Sequence, residues 1–265
     1  MQNVIKLFVL FLMSGAVVYA QESKIVTSVS LVGMSMDYRE YSKNTGALLD
    51  SEESDFTDLG GVDLGISFLM FKTPSSSTRI EANVVLLGGN TVYKGSILGS
   101  GNPYGSYVGT TVNTITDYSI LLRQNHNLNN HLSIHYALGL GHRSWERALS
   151  AAQIEIYEWY SLRTIIGADY QLSKKFKVGA ELEYQYGFKE TMSASNLGST
   201  FDLGGADILK IAIPLVYSYS NTMDIVFKAI YEKQTIVESN VINGYYEPRS
   251  TAKNQYLQIG FDFKF

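Results

Sequence analysis

The chain has 265 residues, 25 Asp and Glu against 21 Lys and Arg for a formal charge of −4, and no cysteine. Mild acidity argues against a nucleic-acid partner, and the lack of cysteine excludes disulfide staples. Four Pro against 23 Gly, 19 Tyr and 12 Phe is a strand-friendly, aromatic-rich balance.

The N-terminus reads as an export signal. Lys6 gives the positive charge, Leu7 to Val18 the apolar core, and Val18-Tyr19-Ala20 a small-x-small cleavage site. The domain organisation expected is therefore a signal peptide over residues 1–20 and one barrel domain over 21–265. Cleavage would remove Lys6 and take the charge from −4 to −5. The apolar run is too short for a spanning helix, which needs roughly 20 residues.

Beyond it the chain alternates. Side chains of a strand point to opposite faces with period two, so alternating letters mean one greasy and one polar face. Strand one is expected over Ile25 to Tyr41, with Val32, Met34, Met36 and Tyr38 outward, followed by an acidic loop from Ser42 to Phe56. Strand two, Thr57 to Phe71, sets Val62, Leu64, Ile66, Phe68 and Met70 against Asp63, Gly65 and Ser67. Strand three, Thr78 to Tyr93, sets Ile80, Ala82, Val84 and Leu86 against Arg79, Glu81 and Asn83, ahead of a Gly-rich loop from Gly95 to Gly109. Strands four to six are expected over Thr110 to Gln124, His131 to Arg147 and Ile154 to Leu172. Strand seven is the cleanest: Phe176, Val178, Ala180, Leu182, Tyr184, Tyr186 and Phe188 alternate with polar residues. A loop from Thr191 to Thr200 precedes strand eight, which presents Leu209, Ile211, Ile213 and Leu215. Strand nine, Met223 to Glu238, presents Ile225, Phe227 and Tyr231, and a loop from Ser239 to Ala252 follows.

The last strand carries the most specific signal. Leu257, Ile259, Phe261, Phe263 and Phe265 share one parity, Gln258, Gly260, Asp262 and Lys264 the other, and the chain stops on an aromatic. This resembles the C-terminal strand of Gram-negative outer-membrane β-barrels, in which a terminal Phe serves as an assembly signal. The resemblance implies an all-β, antiparallel up-and-down transmembrane barrel, with short periplasmic turns and long extracellular loops. About ten strands are expected, an even number as such barrels require. A soluble barrel or sandwich would use the same alternation with its apolar face inside. Against it stand lopsided connections and Tyr and Phe crowning the apolar faces near strand ends, as interface girdles would.

Polar residues of the other parity should line the lumen. Among them are Asp63, Arg79, Glu81, Arg123, Arg143, Arg163, Asp169, Lys177, Glu181, Glu183, Lys210, Asp224, Lys228, Glu232, Asp262 and Lys264. Ten strands leave a narrow interior, since open aqueous channels appear near 16, so balanced charges would fill it as a salt-bridged plug. One hairpin, expected near the outer rim, holds both Trp of the protein. Arg143, Trp145 and Arg147 alternate on one strand, and Glu155, Tyr157 and Trp159 on the next. Such a cluster could bind an anionic or sugar ligand by stacking and bidentate pairing, or cap the plug.

No catalytic, cofactor or metal site is legible. Ser133 and His135 share a face as a hydroxyl–base pair would, but low in the barrel, where a lumen hydrogen bond is the simpler role. Lipid A deacylases place a His before a Ser near the membrane surface, which this order and depth do not match. Omptin proteases share the size and strand number, but need an Asp-x-His pair that this chain lacks. The chain is therefore expected to be non-enzymatic: a surface-exposed structural, adhesion or ligand-binding protein, with a narrow solute channel as the alternative and a hydrolase third. Implied partners are outer-membrane lipid and lipopolysaccharide, the barrel assembly machinery acting through Phe261, Phe263 and Phe265, and an extracellular ligand.

Overall fold

A computed structural model describes residues 23–96 and 101–265, and every regular element in it is a strand. The signal segment expected over residues 1–20 lies outside the described residues, as does part of the Gly-rich loop. In chain order the strands are β1 Ile25–Tyr41, β2 Leu48–Lys72, β3 Ser76–Gly95, β4 Tyr107–Asn127 and β5 Leu132–Ser150. They continue with β6 Gln153–Gln171, β7 Phe176–Ala194, β8 Ser199–Ser218, β9 Met223–Ser239 and β10 Arg249–Lys264. Each pairs antiparallel with its chain neighbours, and β1 pairs with β10, which closes the barrel. The seam is tied at the C-terminus, where the Phe265 N–H donates to the Ile25 carbonyl at 2.9 Å. Closure matters because an open edge would leave a row of backbone groups unsatisfied in an apolar medium.

A continuous apolar belt surrounds the barrel. Leu122, Leu138, Leu140, Ile166, Leu182, Ile211, Ile213, Phe227, Leu257 and Ile259 all lie exposed on its outside. Tyr118, Tyr160, Tyr186 and Tyr231 fringe one edge of the belt, and Tyr136, Tyr170, Phe176 and Phe265 the other. A soluble barrel would bury these side chains. Exposing them all in one band is the pattern of a barrel solvated by lipid.

Crossing such a belt takes about 9–11 tilted residues, whereas these strands hold 16 to 25. The surplus projects beyond the belt at one end, hereafter the long end. Two loops expected there are largely strand. The acidic segment after Tyr41 shrinks to a turn before Leu48, and the one after β7 to the stretch between Ala194 and Ser199. Their polar residues satisfy their backbone by extending the ladder.

The facing expected for β1 is reversed. Val32, Met34, Met36 and Tyr38 are buried inside the barrel, while Leu31 is 65% exposed on the outside. Val32 and Met34 still lie level with the belt, opposite Gln258 and Tyr256 of β10, and there the outward positions are held by Leu31 and Gly33. Beyond the belt, at Met36 and Tyr38, the exterior is water and the apolar side chains of the projecting wall turn inward. Register shifts carry the inversion on two other strands. A shift between Glu53 and Leu59 lets both Glu52 and Leu59 point inward on β2. On β7, Lys189 takes a positive φ of 56° opposite a shift on β6, so Tyr186 faces out and Met192 faces in. The other assigned facings, including the lumen charges, agree with the sequence pattern.

Candidate functional site

The lumen is built in tiers. At the short-turn end Lys264 pairs with Asp224 at 2.7 Å and Lys177 with Asp169 at 3.5 Å. Above them Arg123 bridges Glu81 at 2.9 Å and Glu181 at 3.0 Å. His135 sits beside this tier with Nε2 2.9 Å from Glu181 and Nδ1 3.7 Å from Asp169, so its ring faces carboxylates. A cavity of about 310 Å³ with a mixed lining opens here, bordered among others by Asp63, Asn83, Lys228 and Gln258 and by Leu121, Ile165 and Ile230.

The next tier crosses the lumen. Arg143 reaches from β5 to Asp117 on β4 at 2.8 Å and to both carboxylate oxygens of Glu232 on β9 at 3.0 and 3.1 Å. Arg163 donates to the second oxygen of Asp117 at 2.6 Å, and Lys210 pairs with Glu232 at 3.2 Å. Asn254 and the Tyr256 hydroxyl also donate to Glu232, whose side chain is wholly buried. A buried charge needs such a full set of partners, because its desolvation exceeds what a single pairing returns.

Above this tier the interior becomes apolar. Met34, Leu59, Trp159, Phe201, Ile208 and Ile236 form one buried cluster.

Beyond the belt a second polar tier is organised on Arg147. Its Nε and Nη2 donate to Glu52 at 3.0 and 2.8 Å. Its Nη1 lies 2.8 Å from Glu40, 2.9 Å from Glu155 and 3.0 Å from the Tyr157 hydroxyl. The guanidinium stacks over the Tyr38 ring with 4.4 Å to the centroid, and Tyr38 meets Trp145 edge-on at 5.1 Å. The Trp145 indole donates to Asn113, and Asn113 and Thr91 donate to Glu52. Two more carboxyls close in. The Tyr157 hydroxyl donates to Glu247 at 2.5 Å and that of Tyr93 to Asp50 at 2.7 Å.

Three carboxyl groups thus contact one guanidinium, and two more lie beside it. Burial penalises the charge of Glu52, but Arg147 and the donors from Thr91 and Asn113 outweigh it and hold the carboxyl below its usual range. Glu247, Glu155 and Asp50 lack that coverage. Burial pushes Glu247 well above the carboxylate range, with Glu40 and Glu155 acting in the same direction. Burial also raises Glu155 against the pull of Arg147, and pushes Asp50 up to about 7 with Glu40 adding to it.

All six residues expected to cluster on the β5–β6 hairpin point inward, yet they divide. Trp145, Arg147, Glu155 and Tyr157 belong to the upper tier, Arg143 to the lower, and Trp159 to the apolar layer between, with the Arg143 guanidinium 5.9 Å from its ring. Tyr38, Glu40, Glu52, Asp50 and Glu247 were not expected there. The Tyr38-x-Glu40 alternation was a signal for the first two; Asp50, Glu52 and Glu247 lay in segments read as loops. Among the described residues no group of three or more His, Asp or Glu is arranged to hold a metal ion.

No protein-family model matches the chain, and no curated protein matches its sequence. Solved structures match its fold. The outer membrane protease OmpT of Escherichia coli superposes with a TM-score of 0.58 at 11% identity, over 95% of this chain and 99% of that one. The translocator domain of autotransporter NalP from Neisseria meningitidis matches at 0.41 and 11% identity, over 100% and 94%. Ail, the attachment invasion locus protein of Yersinia pestis, matches at 0.36 and 12%, over 92% and 100%. The chain has the fold of an outer-membrane β-barrel.

Proposed function

We propose that this chain is an integral outer-membrane protein of a Gram-negative bacterium. Its closed lumen and projecting β-rim serve a structural, adhesive or ligand-binding role at the cell surface, without enzymatic activity. The long end then faces outward and the short turns face the periplasm. One observation carries the reading. Arg143, Asp117, Arg163 and Glu232 bond across the full width of the lumen, and a buried apolar layer with Met34, Trp159 and Ile208 sits directly above. Water and ions have little reason to cross an apolar layer of that kind. All three nitrogens of Arg147 are also engaged by the protein itself, which favours a cap over an open ligand pocket.

Membrane lipid and lipopolysaccharide are the partners that the belt calls for. The assembly machinery would read the last strand, where Phe261 and Phe263 lie 6.3 Å apart at its end and Phe265 follows. The cavity below Arg143 favours a second reading, a narrow channel for small solutes, should that tier part. Proteolysis, the activity of one fold neighbour, is third in rank, since at 11% identity that likeness carries the fold and no chemistry. Cell fractionation tests the main reading. The mature protein should be recovered with the outer membrane and migrate differently on gels when unboiled. Recovery as a soluble periplasmic protein would overturn it.

A further inference from the structure

On the outside of the barrel Lys233 of β9 and Lys253 of β10 are direct cross-strand partners, both exposed. Like charges set opposite one another on neighbouring strands repel, and a fold with no use for the pair would gain by losing it. Neither ammonium has a hydrogen bond or a carboxylate within 4 Å among the described residues. The two acidic neighbours are engaged elsewhere: Asp37, the partner of Lys253 on β1, is held by Arg39 at 2.8 Å, and Asp207 accepts from the Tyr184 hydroxyl at 3.0 Å. The pair therefore presents two ammonium groups that no carboxylate binds directly, with Asp37 facing Lys253 across the strands.

Its height is specific. Lys233 follows the girdle residue Tyr231 by two positions on the same face. It lies ten residues along β9 from Met223. At a rise of ~3.4 Å per residue and a strand tilt of ~40°, that is about 25 Å up the barrel, the height of the apolar band itself. Both ammonium groups thus stand where the acyl region ends and headgroups begin, above the exposed Leu257, Ile259 and Phe227.

We propose that Lys233 and Lys253 form a binding site for the phosphate of a phosphorylated lipid headgroup in the outer leaflet, whose acyl chains run down β9 and β10. Two lysines chelating one phosphate turn a repulsive pair into an attractive site, and the belt below supplies an apolar track that a free phosphate cannot use. The site rests on the outer-membrane reading but is independent of whether the lumen conducts.

The test is native mass spectrometry of the purified, detergent-solubilised full chain with three probes: diphosphoryl lipid A, the same lipid stripped of its phosphates, and inorganic phosphate. The variants are Lys233→Gln/Lys253→Gln and, as a control of equal charge change at the other end, Lys174→Gln/Lys175→Gln. A juxtamembrane lysine contributes about fivefold to anionic lipid binding, so the first double variant should retain diphosphoryl lipid A roughly 25-fold less well. The control should match wild type, and the dephosphorylated lipid should bind weakly to all. Unchanged retention by the Lys233/Lys253 variant would overturn the proposal, as would equal retention of the dephosphorylated lipid. Displacement by millimolar inorganic phosphate would overturn the lipid assignment. Unboiled gel migration shows that each variant is folded. Failure of wild type to insert into bilayers would count against the outer-membrane reading instead.

Discussion

Arg147 Nη2 lies 2.8 Å from Glu52 Oε1, with both side chains at 1% exposure or less, in the part of the barrel that projects beyond the apolar belt. The pair joins β5 to β2 across the rim, and Glu40 and Glu155 add β1 and β6 through the same guanidinium. Arg147→Met would leave these carboxylates buried without a counter-charge, which costs about 3–5 kcal/mol. Arg147→Lys should recover little, because a point charge cannot satisfy acceptors on four sides. Limited proteolysis of the membrane-inserted protein checks this: the variants should be cut in the rim while the belt stays intact.

The rim should loosen as pH rises. In the folded protein Asp50, Glu155 and Glu247 hold protons more tightly than free carboxyls do. The folded rim therefore binds more protons than the opened one. Its stability is fully present below the ordinary carboxylate range and is lost as pH climbs through the folded values, for Asp50 through about 7. Glu52 acts in the opposite sense, but its depressed value places that loss at acid pH. The protection of residues 239–249 against hydrogen exchange, taken relative to the intrinsic rate at each pH, should fall between pH 5 and 8. Glu247→Gln should flatten that fall in protection, and Asp50→Asn should remove the step near neutrality.

The two faces of β7 should answer differently to charge. Leu182 lies exposed in the belt, while Glu183 points inward to Gln185, 2.7 Å away, and Arg163. Leu182→Arg should impair insertion, since a lipid-facing charge near the midplane costs about 2–4 kcal/mol, whereas Glu183→Gln should be far milder. Yields of folded protein in vesicles measure both, and equal losses would mean that the facing is wrong.

Within the belt the architecture was legible because lipid imposes one rule on every strand: apolar out, polar in. Leu182, Ile211 and Ile259 follow it, so strand number, closure and the facing of every strand but β1 could be read there. The rule stops where the bilayer stops. Met36 and Tyr38 continue the alternation of β1 with the same letters but face water-excluding company inside the rim. Period-two patterning does not say which medium lies outside. The candidate site was half visible for a related reason. Arg147 and its hairpin neighbours, Glu155 among them, stand out as alternating charge and aromatic, but its other two carboxylate partners, Glu52 and Glu40, are 95 and 107 residues away in sequence, on strands that meet it only through closure.

Deleting Phe265 should lower the yield of assembly far more than the stability of what assembles. The ring contributes at most about 2–3 kcal/mol of burial, and it is 42% exposed. The backbone loses two seam bonds, at 2.9 and 3.3 Å to Ile25, each of about 1 kcal/mol. A barrel closed by sixteen registered pairs between β1 and β10 tolerates that. Assembled yield and urea midpoint measured together decide the matter. Normal yield with a lowered midpoint would reduce the terminal Phe to a packing residue.

The central claim is that the lumen is closed by the Arg143 tier and the apolar layer above it. The most direct measurement is the conductance of the purified, folded protein in planar bilayers at neutral pH. A closed barrel predicts a bilayer no more conductive than one without protein, across repeated insertions verified by gel migration. Reproducible unitary steps scaling with salt concentration would contradict it, and would make the channel reading the correct one.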